Sequence, residues 1–215
     1  MRIAAIVVSS YTRDAIIGDA IETVPWADKV ILVHITNGET VPDHTPEIAF
    51  AVCHYRLEIL EVGLVATMAE ARNKGLKYAA ARGYDWAVQL DTDERINWHG
   101  INVPATLADI HENIGVLTMY SDDYRYHKGR FFRLPPSGRF YGHSHEDWRP
   151  MIGIAKMPQA ITFSEIVKPE PLIVRNLHEQ LEAIKRDITD EPNVQRWRDY
   201  YDDCVARLKA FEERG

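Results

Sequence analysis

An α/β domain with a mostly parallel central sheet, helices on both faces and a helical C-terminal appendage is the architecture this sequence predicts. Three observations carry that expectation. Apolar runs at 3–8 (IAAIVV), 29–35 (KVILVHI), 57–62 (LEILEV) and 86–90 (WAVQL) alternate with helical patterns, the rhythm of strands buried on both faces. Thr67-Met68-Ala69-Glu70 matches a capping box, in which the hydroxyl accepts a backbone N–H three residues on and the Glu reaches back. Beyond 174, Leu177, Leu181, Ile184 and Ile188, then Trp197, Tyr201, Cys204 or Val205, Leu208 and Phe211, recur at helical spacing around Pro192.

Taken in order, the first strand leads into a helix from about Arg13 to Thr23, and the second strand follows at 29–35. The stretch 36–47, TNGETVPDHTPE, is rich in turn formers and is expected as a loop. After the third strand, the helix capped by Thr67 continues through Ala-rich sequence to Arg82, with Gly83 at its C-terminal cap. The fourth strand closes the regular half. Beyond Glu94 a helix is expected near Pro104–His111, a strand at 115–120, and a hairpin folded around Pro135-Pro136-Ser137-Gly138. Strand-like runs fill 160–174, split by Pro169 and Pro171. The expected division is therefore a domain over 1–174 and a helical appendage over 175–215.

The 215 residues are 46% apolar, enough for a sizeable core. A net charge of −7 argues against bulk attraction to nucleic acid or an anionic membrane. Two distant cysteines, Cys53 and Cys204, suggest no disulfide framework and fit a reducing compartment. The N-terminal apolar run is too brief for a signal sequence and reads as a buried strand. No run of about 18 consecutive apolar residues is present, so no membrane span is expected. A cytoplasmic protein is the expectation.

Asp91, Asp93 and Glu94 crowd the carboxyl end of the fourth strand. Open α/β sheets bind ligands at that edge. One reading of three acids there is a solvated turn that caps the next element. The other is a divalent-cation site, because hard cations take oxygen ligands and share them with substrate phosphates. A cation would also relieve the repulsion among the acids.

The stretch 69–96, AEARNKGLKYAAARGYDWAVQLDTDERI, resembles the nucleotide-sugar half of family 2 glycosyltransferases of the GT-A fold. There an ARN-x-(A/G)-L helix leads through a Gly and an aromatic into a strand ending in Asp-x-Asp-(Glu/Asp). A second stretch, Arg130-Phe131-Phe132-Arg133 through Gly142-His143-Ser144-His145-Glu146, is similar to the R-(L/F)-F-R…G-x-x-H-E segment of one branch of that family. The resemblance covers about residues 1–150; the terminal helices resemble that branch's tails loosely.

The resemblance implies a GT-A fold and an inverting, hexosyltransferase-type enzyme that uses Mn2+ or Mg2+. Its donor would be a nucleotide-sugar, a UDP-sugar by default. By position, Asp91 would face the ribose or nucleoside and Arg72 would order the Asp-x-Asp loop. Ser9, Ser10, His34, Asn73 and Arg133 would complete the nucleotide-sugar contacts. Asp93 would bind the metal, with His145 as a further metal or diphosphate contact. Glu146 or Asp147 would be the general base, with Asp122 or Asp123 next in line. The division suits the chemistry: a metal stabilises the departing diphosphate, and a carboxylate takes the acceptor's proton. One departure stands out. The family usually has an Asp at the end of the second strand, where it reads the nucleobase; here His34 falls there, with Asn37 and Glu39 nearby. That leaves GDP or another nucleotide open beside UDP.

From Tyr124 to His145 there is no acid, while Arg125, Lys128, Arg130, Arg133 and Arg139 interleave with aromatics. Such a segment either neutralises nearby acids or grips a diphosphate or an anionic acceptor. A glycan, a protein or, less readily, a modified DNA base remain acceptor classes, since aromatics beside Arg also hold bases. Three competing functions weigh less. An aspartyl phosphotransferase wants its Asp-x-Asp after the first strand and no Arg at position 95. A nucleotidyltransferase wants glycines that VVSSYTRD lacks. A non-catalytic sugar-nucleotide binder on the same fold stays open.

Overall fold

The computed structural model describes residues 1–10, 14–36, 43–124, 126–143, 147–149, 153–165, 170–192 and 194–212. Strands β1 (Ile3–Ser10), β2 (Lys29–Ile35), β3 (Leu57–Glu61) and β4 (Trp86–Asp91) coincide with the four apolar runs. All four lie parallel, in the order β3-β2-β1-β4. Alternation along β1 explains why the run is apolar throughout. Ile3, Ala5 and Val7 pack into one core with residues of α1 (Asp14–Glu22), α2 (Thr45–Cys53) and α4 (Val103–Ala108). Ala4, Ile6 and Val8 pack on the other face, under α3 (Met68–Ala81). Helices therefore cover both faces, as expected.

The capping box is realised at Thr67, whose hydroxyl accepts the Glu70 N–H at 3.0 Å. Glu70 in turn accepts the Ala66 N–H at 3.1 Å, one residue upstream of the reciprocal box partner. Helix α3 approaches the sheet at Gly75, where an added Cβ would stand 2.8 Å from both Ile6 Cγ2 and Val33 Cγ2. The small residue in the ARN-x-(A/G)-L pattern is thus a packing requirement.

The second half completes a nine-stranded mixed sheet in the order β3-β2-β1-β4-β7-β6-β11-β5, with β10 also on β6. The added strands are β5 (Glu94–Asn97), β6 (Val116–Ser121), β7 (His127–Arg133), β10 (Ile154–Lys156) and β11 (Thr162–Glu165). Strand β7 runs antiparallel between β4 and β6. Strands β8 (Arg139–Tyr141) and β9 (Asp147–Arg149) form a separate two-stranded hairpin. It is seated on the α3 face through Phe132, Phe140 and Trp148, whose ring centroids lie 4.6 to 5.3 Å apart. Helices α5 (Glu170–Asp190) and α6 (Gln195–Glu212) bury their own cluster of Leu177, Leu181, Ile184 and Cys204.

Four expectations need correction. Residues 45–47 belong to α2, because Pro46 sits in the helix's first turn, where its missing N–H costs nothing. The runs around Pro135-Pro136-Ser137-Gly138 do not pair with each other: β7 enters the main sheet and β8 pairs with β9. Strand β5 was not anticipated, since Glu94-Arg95-Ile96-Asn97 carries one apolar residue. Helix α5 begins at Glu170, ahead of the expected boundary at 175, again with a proline (Pro171) in its first turn. Both cysteines are buried and free, and no described helix is long and apolar enough to cross a membrane.

Candidate functional site

Strand order reverses about β1, with β2 and β3 on one side and β4 on the other. The crevice beyond the carboxyl ends of strands at such a point is where open α/β sheets place ligands. Register gathers the expected residues there: Ser9 stands opposite His34, Ser10 opposite Ile35, and Val8 opposite Asp91. Ser9 and His34 are buried, and Asp91 is partly exposed at the strand tip.

Cations of the protein itself meet the acids. Arg72, buried on α3, places Nη1 2.7 Å from Asp91 Oδ1. Arg130 places Nη2 3.5 Å from Asp91 Oδ2 and pairs closely with Glu94 Oε1. Glu94, only 1% exposed, accepts the Asp91 N–H through Oε2 at 3.2 Å. Lys128 Nζ lies 3.2 Å from Glu94 Oε1 and 2.9 Å from Glu165, which also accepts the Tyr126 hydroxyl at 2.8 Å. The result is a continuous ladder of alternating charge: Arg72, Asp91, Arg130, Glu94, Lys128, Glu165. Repulsion between Asp91 and Glu94 is therefore relieved inside the fold by bases of the 124–145 segment, the first of the two roles the sequence offered for it.

Burial would raise the Asp91 carboxyl, but Arg72 and Arg130 outweigh it and hold the group well below the usual carboxylate range. Glu94 moves the other way: burial raises it, with the neighbouring Asp91 charge adding to the effect, against Arg130 and Lys128.

At the tip of β2, His34 Nε2 lies 2.7 Å from Asp43 Oδ2, and Asp43 Oδ1 accepts the Thr45 N–H at 2.9 Å. Burial would raise the Asp43 carboxyl; hydrogen bonds from Thr45 and His34 outweigh it and lower the group. A carboxylate is thus supplied at the end of β2 after all, from the approach to α2. Position 43 was missed because only the tertiary fold brings it back to His34. His34 Nδ1 is buried and has no hydrogen-bond partner among the described residues.

Other expected residues fall elsewhere. Asn73 is bound to the Phe140 backbone through both amide atoms, at 2.9 and 2.8 Å. Arg133 does not join the site. It pairs with Trp86, at the start of β4 and far from Asp91. Its guanidinium donates to the carbonyls of Ile110 and Ile114 at 2.9 Å and stacks over Trp86. Of the basic segment, Lys128 and Arg130 neutralise acids and Arg133 ties down carbonyls. Asp122 accepts from Asn97 at 2.7 Å and from Thr162, and Asp123 accepts the Ser121 hydroxyl at 2.7 Å, so both serve their turn.

Asp93 occupies the turn between β4 and β5, partly exposed. His145 and Glu146 lie outside the described residues, as do Asn37, Glu39 and Arg125. Asp147 opens β9, its backbone paired with Tyr141. Among the described residues, no three or more His, Cys, Asp or Glu side chains gather as a metal site.

No protein-family profile matches the chain, and no curated protein is similar to it in sequence. Solved structures are. S. aureus TarS 1–349 in complex with UDP superposes with a TM-score of 0.56 at 14% identity, over 86% of this chain and 65% of that one. A second S. aureus TarS structure gives 0.53 at 15% identity, over 86% and 40%. Glucosyl-3-phosphoglycerate synthase from Mycobacterium tuberculosis, with Mn2+, UDP and phosphoglyceric acid, gives 0.43 at 20% identity, over 58% and 44%. The chain spans 65% of TarS 1–349 and 40% of the other TarS structure. The likeness to TarS shows the fold: this is a GT-A-type α/β domain, the architecture its Asp-x-Asp strand and ARN helix resemble.

Proposed function

We propose that this chain is a glycosyltransferase that moves a sugar from a nucleoside-diphosphate donor to an acceptor hydroxyl. The observation that carries the reading is Asp91. It lies at the tip of a central strand of a GT-A-type sheet, held ionised by Arg72 and Arg130. An ionised carboxylate so placed accepts hydrogen bonds from a ribose or nucleobase without moving. We assign Ser9, Ser10 and the His34–Asp43 pair to the nucleoside end of the same crevice. His34 Nδ1, buried without a partner among the described residues, suits a polar atom of the base. UDP is the favoured nucleotide; TarS 1–349 was crystallised with UDP.

Asp93 and His145 are the residues we assign to Mn2+ or Mg2+. The donor set suits a hard cation: one carboxylate suffices when donor phosphates complete the shell, and Asp93 is partly exposed in the turn beyond β4. The cation supplies charge stabilisation to the departing nucleoside diphosphate. In the transfer, the acceptor oxygen attacks the anomeric carbon while the bond from that carbon to the diphosphate breaks. Glu146 or Asp147 takes the acceptor's proton, and the configuration inverts.

Calorimetric titration of UDP with and without Mn2+ tests the assignment. Asp91→Asn should weaken UDP binding in both conditions, and Asp93→Ala should abolish only the Mn2+-dependent gain. UDP affinity unchanged in both variants would place the nucleotide elsewhere and defeat the proposal.

A further inference from the structure

Where β6 turns into β7 the chain carries rings that the fold does not bury. Tyr124 is 54% exposed, His127 is exposed and Tyr120 is partly so. They form one surface: the Tyr120 ring lies 5.9 Å from that of Tyr124 and 5.5 Å from that of His127. Lys156 of β10 closes one side, its ammonium 4.9 Å over the Tyr120 ring and donating to the Tyr120 hydroxyl. Tyr124 adopts a φ of 56°, a left-handed conformation that side chains rarely take. Glycine would adopt it with less strain, so the turn itself does not require a tyrosine.

Alternation sets this surface beside the candidate site. Along β6, Val116 packs on the α3 face, and Leu117 and Met119 pack on the other, so Tyr120 returns to the α3 face. Along β4, Ala87 packs on the α3 face, and Val88 and Leu90 on the other. Asp91 therefore turns to the α3 face, where Arg72 meets it. Strands β4 and β6 both run antiparallel to β7, so Tyr120 and Asp91 share a sheet edge as well as a face. Only β7 lies between them, and two strand spacings are roughly 10 Å. On β7, Gly129 is turned the same way: an added Cβ would stand 3.2 Å from Val116 Cγ1. Position 129 thus raises no side chain between the rings and the strand tip.

We propose that Tyr120, Tyr124 and His127 form an acceptor subsite, and that it takes a neutral saccharide whose pyranose ring lies on the aromatic rings. The inference rests on the transferase reading above and names the class of its acceptor. A pyranose has an apolar C–H face and a rim of hydroxyls, which matches rings that are apolar in body and polar at the edge. The rim of the surface carries both signs: Asp122 and Asp123 lie exposed in the same turn, and Lys156 lies on β10. Groups of both signs serve hydroxyls, which donate and accept. A nucleic acid also stacks on tyrosines, but carboxylates beside the rings and a net charge of −7 repel its phosphates.

Saturation-transfer NMR on the full chain, with the protein's aromatic protons irradiated, tests the subsite. The probes are methyl β-glucopyranoside, methyl β-galactopyranoside and cellobiose. At least one should receive saturation at its ring C–H protons and keep it when UDP is added. Tyr120→Ala and Tyr124→Gly should each raise that probe's Kd roughly fivefold to tenfold, with UDP affinity by calorimetry unchanged. Tyr124→Phe keeps the ring and should bind as the wild type does. Tyr124→Gly relieves the positive φ and should melt no lower than the wild type; a lower melting temperature with unchanged probe affinity would make the ring a structural prop and overturn the proposal. Displacement of the probe by UDP, or transfer to oligothymidylate and to no saccharide, would overturn it too. A chain that binds UDP and none of the three probes defeats the subsite alone. One that binds no UDP strikes down the nucleotide-sugar reading, and the acceptor role with it.

Discussion

The side-chain amide of Asn73 exchanges two hydrogen bonds with the backbone of Phe140, donating to its carbonyl at 2.9 Å and accepting its N–H at 2.8 Å. The pairing imitates one rung of a sheet, so a helix serves as an edge partner for β8. Its neighbour Arg72 holds Asp91. Consecutive residues of α3 therefore tie the tip of β4 and the β8–β9 hairpin to one rigid element.

Asn73→Ala removes both bonds and leaves Phe140, buried among Phe132 and Trp148, with unpaired backbone groups. A loss of roughly 1–3 kcal/mol is expected, measured by urea unfolding. Asn73→Asp keeps the acceptor but turns a second, charged oxygen on the Phe140 carbonyl, so it should lose at least as much as Asn73→Ala; a clearly smaller loss would show that the donor half contributes nothing.

Arg130 is 4% exposed and shared by Asp91 and Glu94. Arg130→Met leaves Glu94 buried with only Lys128 to meet it and should cost about 3–5 kcal/mol. Adding Glu94→Leu should restore much of that, because a buried pair replaced whole is far less damaging than one half removed. A double variant no more stable than the single would show that the pair's geometry, and not its charge balance, holds this corner.

Acid titration should single out Asp91. Its folded pKa is depressed, so its contribution is present above the unfolded value, about 3.9, and is lost as pH falls through the folded value. Glu94 has the opposite sign: its raised folded pKa costs stability as pH rises past its unfolded value. The wild-type curve mixes the two. The stability difference between wild type and Asp91→Asn should shrink below pH about 4, where the unfolded Asp91 takes up its proton. A difference that stays constant down to pH 2 would contradict the Arg72–Asp91 pairing.

Gly75→Ala sets two principles against each other. Alanine favours the helix by about 1 kcal/mol, yet its methyl would stand 2.8 Å from Ile6 Cγ2 and Val33 Cγ2, branched side chains buried in the core. Overpacking costs typically about 1–3 kcal/mol, so a lower melting temperature is expected. Weaker UDP binding should accompany it, as α3 lifts and carries Arg72 with it. A raised melting temperature would show that the sheet yields at this point.

The regular half of the molecule was readable because each element there obeys a local rule. Apolar runs marked β1 to β4, with β1, β2 and β4 buried and β3 a partly exposed edge, and Thr67 and Gly83 bracketed α3. What was unreadable depends on pairings that no local periodicity marks. Arg130 falls where the β6–β7 register shifts, opposite neither Leu117 nor Thr118, and such a bulge re-aims a side chain in a way that alternation cannot anticipate. Two arginines of one motif, Arg130 and Arg133, thus serve opposite ends of β4. Asp43 reaches His34 only through the placement of α2, and Pro46, read as a loop former, starts that helix. The β8–β9 pairing was hidden because the turn residues at 135–138 suggested the preceding strand as the partner of β8.

The antiparallel course of β7 brings residues 128 to 130 beside acids made more than thirty residues earlier. During synthesis, a nascent chain that has emerged only as far as β5 carries Asp91 and Glu94 with Arg72 alone to meet them. Sealing Glu94 into the interior has to wait for Lys128 and Arg130 to leave the ribosome. The first four strands can assemble early, but their ligand-facing rim is completed late, and a fragment ending near residue 97 is expected to stay open along that border.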